Sequence, residues 1–379
     1  MGGRRLRLGW LGARRLRRGS LGGRVAAVLA AVLAIPAVPA LACRGPDVEA
    51  MRFSCDPARG DAQCGAGCRC IAVSLQPYPG VCRCEAAPLP DAGPDEGGDE
   101  GCGESCEAVE PEPPCQGGWC RVPAGPFRMG CDAASDAACG PDEGPQHEVI
   151  LAAFEIGRLE VGVEEYAACQ ACGPAGTGPF CNAGEAGRGG HPVNCVTWDQ
   201  AAAYCEWIGR RLCTEAEWEK AARGGCELHD GCAATPRLHP WGDAPPADAA
   251  ATAGAPVGNL LDAAAVTAYP GWAPGIPGYD DGYAGTAPAG SFAAGASPYG
   301  ALDMAGNVIE WVSDFYAADA YARCAAPCID PQGPAGGATR AGRGGSFKSP
   351  AADLRCSARG EGDPWHGDGE TGFRCCGSL

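Results

Sequence analysis

Cysteine dominates the residues of this 379-residue chain that could do chemistry, with 26 cysteines against five histidines. Thiols can pair as disulfides, bind soft metals or act as nucleophiles, and their surroundings decide which. The histidines, at 147, 191, 229, 239 and 366, are scattered and never paired with one another at zinc-ligand spacing. No two of them are near in sequence beside a carboxylate, as a mononuclear iron site asks. His366, in Asp363-Pro364-Trp365-His366, lies in a loop rich in glycine and acid. Nothing there assigns it the base's role in a serine triad, and it reads as a surface or groove-rim residue. Cys375 and Cys376 offer two sulfurs, but adjacent cysteines cannot easily grip one ion linearly.

The elements around these residues point to an exported, disulfide-bonded protein. Eight arginines and no acid precede an apolar run from Val25 to about Val38, followed by Ala40-Leu41-Ala42 and Cys43. A basic region, a short apolar core and a small-x-small site make residues 1–42 a secretory signal peptide. The stretch before Cys43 also resembles a lipoprotein cleavage box, which makes Cys43 a candidate lipid anchor. Export to a periplasm, cell envelope or extracellular space places the cysteines where disulfides persist. Beyond the signal, the other 21 basic residues face all 46 acids, a net of about −25. Such a body repels nucleic acid and anionic lipid, so neither is an expected partner.

Residues 43–84 form a small cysteine-rich segment with Cys55, Cys64, Cys68, Cys70, Cys82 and Cys84, too short to fold without covalent staples. Residues 85–114, rich in Pro, Gly, Asp and Glu, read as an acidic linker in which Cys102 and Cys106 could close a local loop. The main domain spans 115–379. Strand-like spacing covers Val122 to Met129, His147 to Phe154 and Glu155 to Val161. Two capping boxes open helices. Thr197 with Gln200 precedes a face of Ala201, Tyr204, Cys205 and Ile208 that Gly209 stops. Thr214 with Glu217 precedes Trp218, Ala221 and Ala222, which point inward and end at Gly224-Gly225. About 120 residues rich in Gly, Pro and aromatics follow, so the fold class is an irregular α+β domain, with no βαβ alternation and no phosphate-binding loop.

Several blocks, in order, carry a resemblance. They are Ala124 to Gly130, Phe154 to Tyr166, His191-Pro192-Val193-Asn194-Cys195-Val196-Thr197-Trp198, Arg211 to Gly225, and Pro240-Trp241-Gly242-Asp243. Tyr299 to Trp311, Arg343-Gly344-Gly345-Ser346 and Gly372-Phe373-Arg374-Cys375 complete the set. Across residues 118–377 the chain resembles the formylglycine-generating enzyme family, also called sulfatase-modifying factors. The resemblance implies a variant of the C-type-lectin-like fold, preceded here by the small cysteine-rich segment.

It also implies site residues. Calcium takes six to eight oxygens from carboxylates, amides and backbone carbonyls. By resemblance, Asp303, Gly306, Val308 and Glu310 form one structural calcium site, and Asn259, Leu260, Asp281 and Tyr283 a second. Cys205 and Cys375 resemble a family disulfide. Cys356 resembles another bridge position, but the expected partner near Arg223 is Ala222, so its bridge must be rewired to Cys213, Cys226 or Cys376. Cys169, Cys172, Cys181 and Cys195 staple the loop before the first helix.

The family oxidises a cysteine of a substrate peptide to formylglycine, using oxygen and copper(I) held between two thiolates. Counted from Gly344-Gly345-Ser346, the first of those cysteines falls at Ser349, and the second, counted back from Cys356, at Ala351. Phe347 to Leu354 contains no cysteine, and a protonated hydroxyl does not replace a soft thiolate. Ser346 and Ser349 are the catalytic candidates if activity persists, and copper is not expected. The sequence therefore reads as a non-catalytic module that binds a peptide or glycan. The alternatives are an active formylglycine-generating oxidase or other metal-dependent oxidoreductase acting on a thiol, and a structural envelope protein whose N-terminal segments act as a tether.

Overall fold

A computed structural model describes residues 115–379, apart from 229–231, 233–236, 273–274 and 325–327, together with three short N-terminal strands. The signal peptide, Cys43, the bridges of the cysteine-rich segment and the acidic linker lie outside the described residues. The chain divides into two compact units, 1–105 and 106–379. In the first, β1 (Phe53–Ser54), β2 (Arg69–Ile71) and β3 (Val81–Arg83) form an antiparallel sheet in the order β1-β3-β2.

The second unit starts with β4 (Cys115–Gln116), β5 (Trp119–Val122), β6 (Gly125–Met129), β7 (His147–Leu151) and β8 (Phe154–Gly157). The expected long strands are broken: Pro123-Ala124 and Ala152-Ala153 interrupt them, and the third stops at Gly157 rather than Val161. Alternation decides which side chains enter the core: Cys120 and Val122, Phe127 and Met129, Val149 and Leu151 are all buried. After α1 (Val163–Ala167) come α2 (Trp198–Trp207), β9 (Arg211–Leu212) and α3 (Glu215–Arg223), then α4 (Pro246–Ala253) and α5 (Ala263–Ala268). The chain closes with β10 (Ile309–Phe315), α6 (Ala320–Arg323), β11 (Cys328–Ile329), β12 (Arg340–Arg343), β13 (Arg359–Gly362), β14 (Thr371–Phe373) and β15 (Cys375–Ser378).

Three small sheets carry the unit, in the orders β4-β5-β8-β15-β9, β13-β12-β10-β14 and β11-β7-β6. Pairing is antiparallel except for β10 with β14 and β11 with β7. The C-terminal strand β15 thus sits between β8 and β9, which seals the last residues into the first sheet. The architecture is a mixed α+β domain rich in disulfides.

Both capping boxes are formed. Thr197 and Thr214 accept from the backbone amides of Gln200 and Glu217, whose side chains reach back to the cap amides. Ile208 departs from the sequence reading. The helix ends at Trp207, so Ile208 is out of helical phase and 37% exposed. The second helix is buried on every side, beyond the three residues expected inward. Its charges are therefore paired. Glu219 meets Arg343 at 2.6 Å and Arg223 at 3.2 Å, Glu215 meets Arg359 at 2.7 Å, and Lys220 donates to the carbonyl of Pro123. Losing one partner of such a buried pair costs about 3–5 kcal/mol.

Disulfides tie remote segments together. Cys205 on α2 is joined to Cys375 and Cys213 to Cys376, so β15 is pinned to α2 and to the β9–α3 junction. Cys169–Cys172 and Cys181–Cys195 staple the loop before α2. Cys356 corrects the sequence reading, because it is buried and unpaired. The sulfurs offered to it are taken: Cys213 by Cys376 across neighbouring strands, and Cys226 by Cys232 in a short loop.

Candidate functional site

The segment that follows β12 turns on Gly344 and Gly345, both in the left-handed region at φ 90° and 70°. A Cβ on Gly344 would sit 3.1 Å from the Trp218 ring. The turn delivers Ser346, fully buried, and Ser349, 8% exposed, with their hydroxyls 3.5 Å apart. Ser349 Oγ accepts the Ser346 amide at 3.0 Å, and Ser346 Oγ donates to Glu370 Oε2 at 2.9 Å. Lys348 Nζ donates to the other Glu370 oxygen at 2.8 Å. Ala351 is exposed and starts a 3-10 turn over Ala351–Leu354, of which only Leu354 is buried. The two serines are thus together, with a carboxylate and an ammonium beside them.

Aromatic rings border this group. Phe347 lies 5.9 Å from both Phe180 and Trp272, and Tyr269 stacks on Trp272 at 4.4 Å. Lys348 Nζ stands 5.2 Å from the centre of the Trp272 ring. Phe180 adopts φ 66°, a costly backbone for an aromatic residue. The adjacent Cys181–Cys195 bridge and Asn194, which donates at 2.7 Å to the carbonyls of both Phe180 and Gly369, hold it there.

A second centre lies on the Gly-Asn turn. Asp303 and Asn307 both have positive φ, at 57° and 58°, which Asp and Asn tolerate better than most residues. Glu310 on β10 accepts from Trp218 Nε1 at 2.7 Å and from Arg374 at 2.6 and 2.7 Å. Glu160 accepts Asn307 Nδ2 at 2.6 Å and the Val308 amide at 3.2 Å. Burial, then Asp303 and Glu310, hold the Glu160 carboxyl well above the usual range. Burial pushes Asp303 up to about 6, with Glu310 adding to it. Three buried carboxylates thus crowd one buried guanidinium, Arg374, and only when all three are ionised does the surplus equal the charge of one divalent cation.

The other set is also assembled. Asp281 accepts the Leu260 amide at 2.8 Å and the Tyr283 amide at 3.0 Å. Burial raises its carboxyl to about 7, and the neighbouring Asp262 adds to the shift. Three buried side-chain oxygens among the described residues lack a protein hydrogen-bond partner, and two of them are Asp303 Oδ1 and Asn259 Oδ1. One orphaned oxygen in each set, costing about 1–3 kcal/mol apiece when left unpaired, fits a hard oxygen-seeking cation.

Other clusters are less open. Cys131, Asp136 and Glu143 converge, but Cys131 is bonded to Cys139 and Arg355 pairs both acids at 2.7 Å. His147 approaches Cys324 and Cys328, whose sulfurs are joined to each other. His366 is exposed and pairs with Asp363.

Sequence reading missed Glu160, Asn307, Arg374, Lys348 and Glu370, and it missed the ring set of Phe180, Tyr269 and Trp272. Their local signals were ordinary. Only the Gly-Asn turn gave a readable cue, through residues that accept positive φ.

The sulfatase-modifying factor enzyme 1-like domain matches residues 107–379. The chain belongs to this family. A formylglycine-generating enzyme from Thermomonospora curvata is 33% identical over 307 residues, covering 68% of this chain and 92% of that protein. A protein named serine/threonine-protein kinase pkn1, from Chlamydia caviae, is 33% identical over 62% of this chain but only 34% of its own length. The solved structure of PvdO from Pseudomonas aeruginosa superposes with a TM-score of 0.50 at 27% identity, covering 69% of this chain and 94% of that one. Among the described residues no helix is long and apolar enough to cross a membrane.

Proposed function

We propose that this protein is an exported, calcium-stabilised binding module of the formylglycine-generating type, which holds a peptide or glycan without oxidising it. One observation carries the reading: among the described residues Cys356 is the only free thiol. It is buried, and burial pushes its thiol up to about 12, so it holds its proton near neutral pH. A two-thiolate copper(I) centre needs two exchangeable thiolates, and the segment after Gly345 offers the buried hydroxyls of Ser346 and Ser349 instead. Neither hydroxyl has an imidazole among its hydrogen-bond partners, and Glu370 and Lys348 pair with each other. The half-buried rings of Phe180, Tyr269 and Trp272, packed over the buried Phe347, supply an apolar wall, and the ion pair supplies a polar edge for an amphipathic ligand.

Asp303, Glu310 and the carbonyls of Gly306 and Val308 would hold one calcium ion. Asn259, Asp281 and the carbonyls of Leu260 and Tyr283 would hold the other. The metal would neutralise buried acids and clamp loops that few ladder hydrogen bonds support. The N-terminal signal and Cys43 support export, with lipid attachment as the means of retention.

Equilibrium dialysis of the native, disulfide-intact protein against copper(I) tests the reading. The expected result is no copper retained against a competing chelator. One copper ion per chain would favour the alternative, an oxidase or other metal-dependent oxidoreductase acting on a thiol.

A further inference from the structure

The two acid-lined sets are joined by one residue. Asn307 donates its backbone amide to the Asn259 carbonyl at 2.8 Å. Its side-chain oxygen accepts from Asn259 Nδ2 at 3.1 Å and from the Ala287 amide at 2.9 Å. Its side-chain nitrogen donates to Glu160 at 2.6 Å, and Glu160 also takes the Val308 amide. Its carbonyl accepts the Phe347 amide at 3.0 Å, and the preceding Gly306 amide donates to the Gly344 carbonyl at 2.9 Å. Asn307 is fully buried. The contact leaves no slack, because a Cβ on Gly306 would come within 2.2 Å of the Asn259 carbonyl oxygen.

We propose that Asn307 couples the two cation sites to each other and to the groove segment 344–349, so that calcium binds cooperatively and orders the ligand groove. The inference rests on the calcium reading given under Proposed function. An ion that takes Asn259 Oδ1 would lock that amide, whose Nδ2 donates to Asn307 Oδ1 and to the Gly285 carbonyl at 2.8 Å. That in turn orients Asn307 Nδ2 on Glu160, which holds the Val308 main chain of the other set. With the ion on Asn259 Oδ1 the buried network gains its missing partner, and it transmits such an orientation because neither end then turns independently. The same residue's carbonyl anchors Phe347, which lies between the buried serines and the aromatic wall. By linkage, whatever the second ion does for the first, the first does for the second.

The test uses calcium as the probe on the calcium-free, disulfide-intact protein, read by titration calorimetry and by hydrogen exchange over residues 344–349. The wild type should take up two ions in one steep transition, with groove amides gaining protection at the same midpoint. Asn307→Gly keeps the left-handed backbone but removes the side-chain bridge. It should split the transition in two, weaken the tighter ion by roughly tenfold, and uncouple groove protection. Asp281→Ala, which removes one site without touching Asn307, should weaken the remaining ion by a similar factor. Two ions that bind independently in the wild type, or a steep transition that survives Asn307→Gly, would overturn the coupling. Absence of any calcium uptake by the wild type would remove the calcium reading itself.

Discussion

His191 shows how a single buried side chain sets a pH limit. It lies 7% exposed, with Arg188 donating to Nδ1 at 3.0 Å and Thr286 Oγ1 at the same distance. Burial, then the neighbouring Arg188 charge, pushes its pKa down to about 4. The folded state therefore keeps His191 neutral while the unfolded chain protonates it below about 6.5. Its contribution to stability is present above that value and is lost as pH falls towards 4. Urea unfolding at pH 4, 5, 6 and 7 should show the wild type losing more stability over this window than His191→Gln. Parallel curves would show that the residue does not titrate on unfolding. At this scale sequence was a partial guide. Asp303, Gly306, Val308 and Glu310 stood out because they frame a Gly-Asn turn and carry a family resemblance. Glu160 and Arg374 did not, because their meaning depends on contacts with Asn307 and Glu310 across 147 and 64 positions.

Helices were legible where their signals were local. Thr197 with Gln200 and Thr214 with Glu217 are four-residue devices, and both formed. Two later helices were also signalled yet missed. Pro246 opens α4 at a first-turn position, and Asp262 caps α5 by accepting the Ala265 amide. Their short alanine-rich bodies lack the apolar stripe that identified α2. Sheet order was not legible, because β15 pairs with β8 and β9 across most of the domain. Cys356 was misjudged for the same reason: strand neighbours, not sequence spacing, gave Cys213 to Cys376. The Cys205–Cys375 bridge spans 170 positions and seals that C-terminal strand. Replacing both cysteines with alanine should cost about 2–5 kcal/mol, measured by denaturant unfolding with the other bridges intact. A loss below about 0.5 kcal/mol, the scale of an ordinary surface substitution, would show that the strand is held without the bridge.

The whole molecule combines a family scaffold with a cysteine-free segment from Ser346 to Arg355. The family match over 107–379 and the 33% identity to a formylglycine-generating enzyme agree with the mixed, disulfide-rich fold. They do not by themselves establish the chemistry, because chemistry depends on a few side chains set on the fold. Here the segment after Gly344-Gly345 presents Ser346 and Ser349, backed by Glu370 and Lys348 and bordered by rings from two other segments. The strong net negative charge, −17 for the full chain, is compatible with calcium and argues against nucleic acid as the ligand. The most direct test of the account is a turnover assay. Purified protein is incubated with copper(I), oxygen and a Cys-x-Pro-x-Arg peptide, and the product is read by mass spectrometry. The account predicts that the peptide is recovered with its thiol intact; conversion of that cysteine to the aldehyde would contradict it.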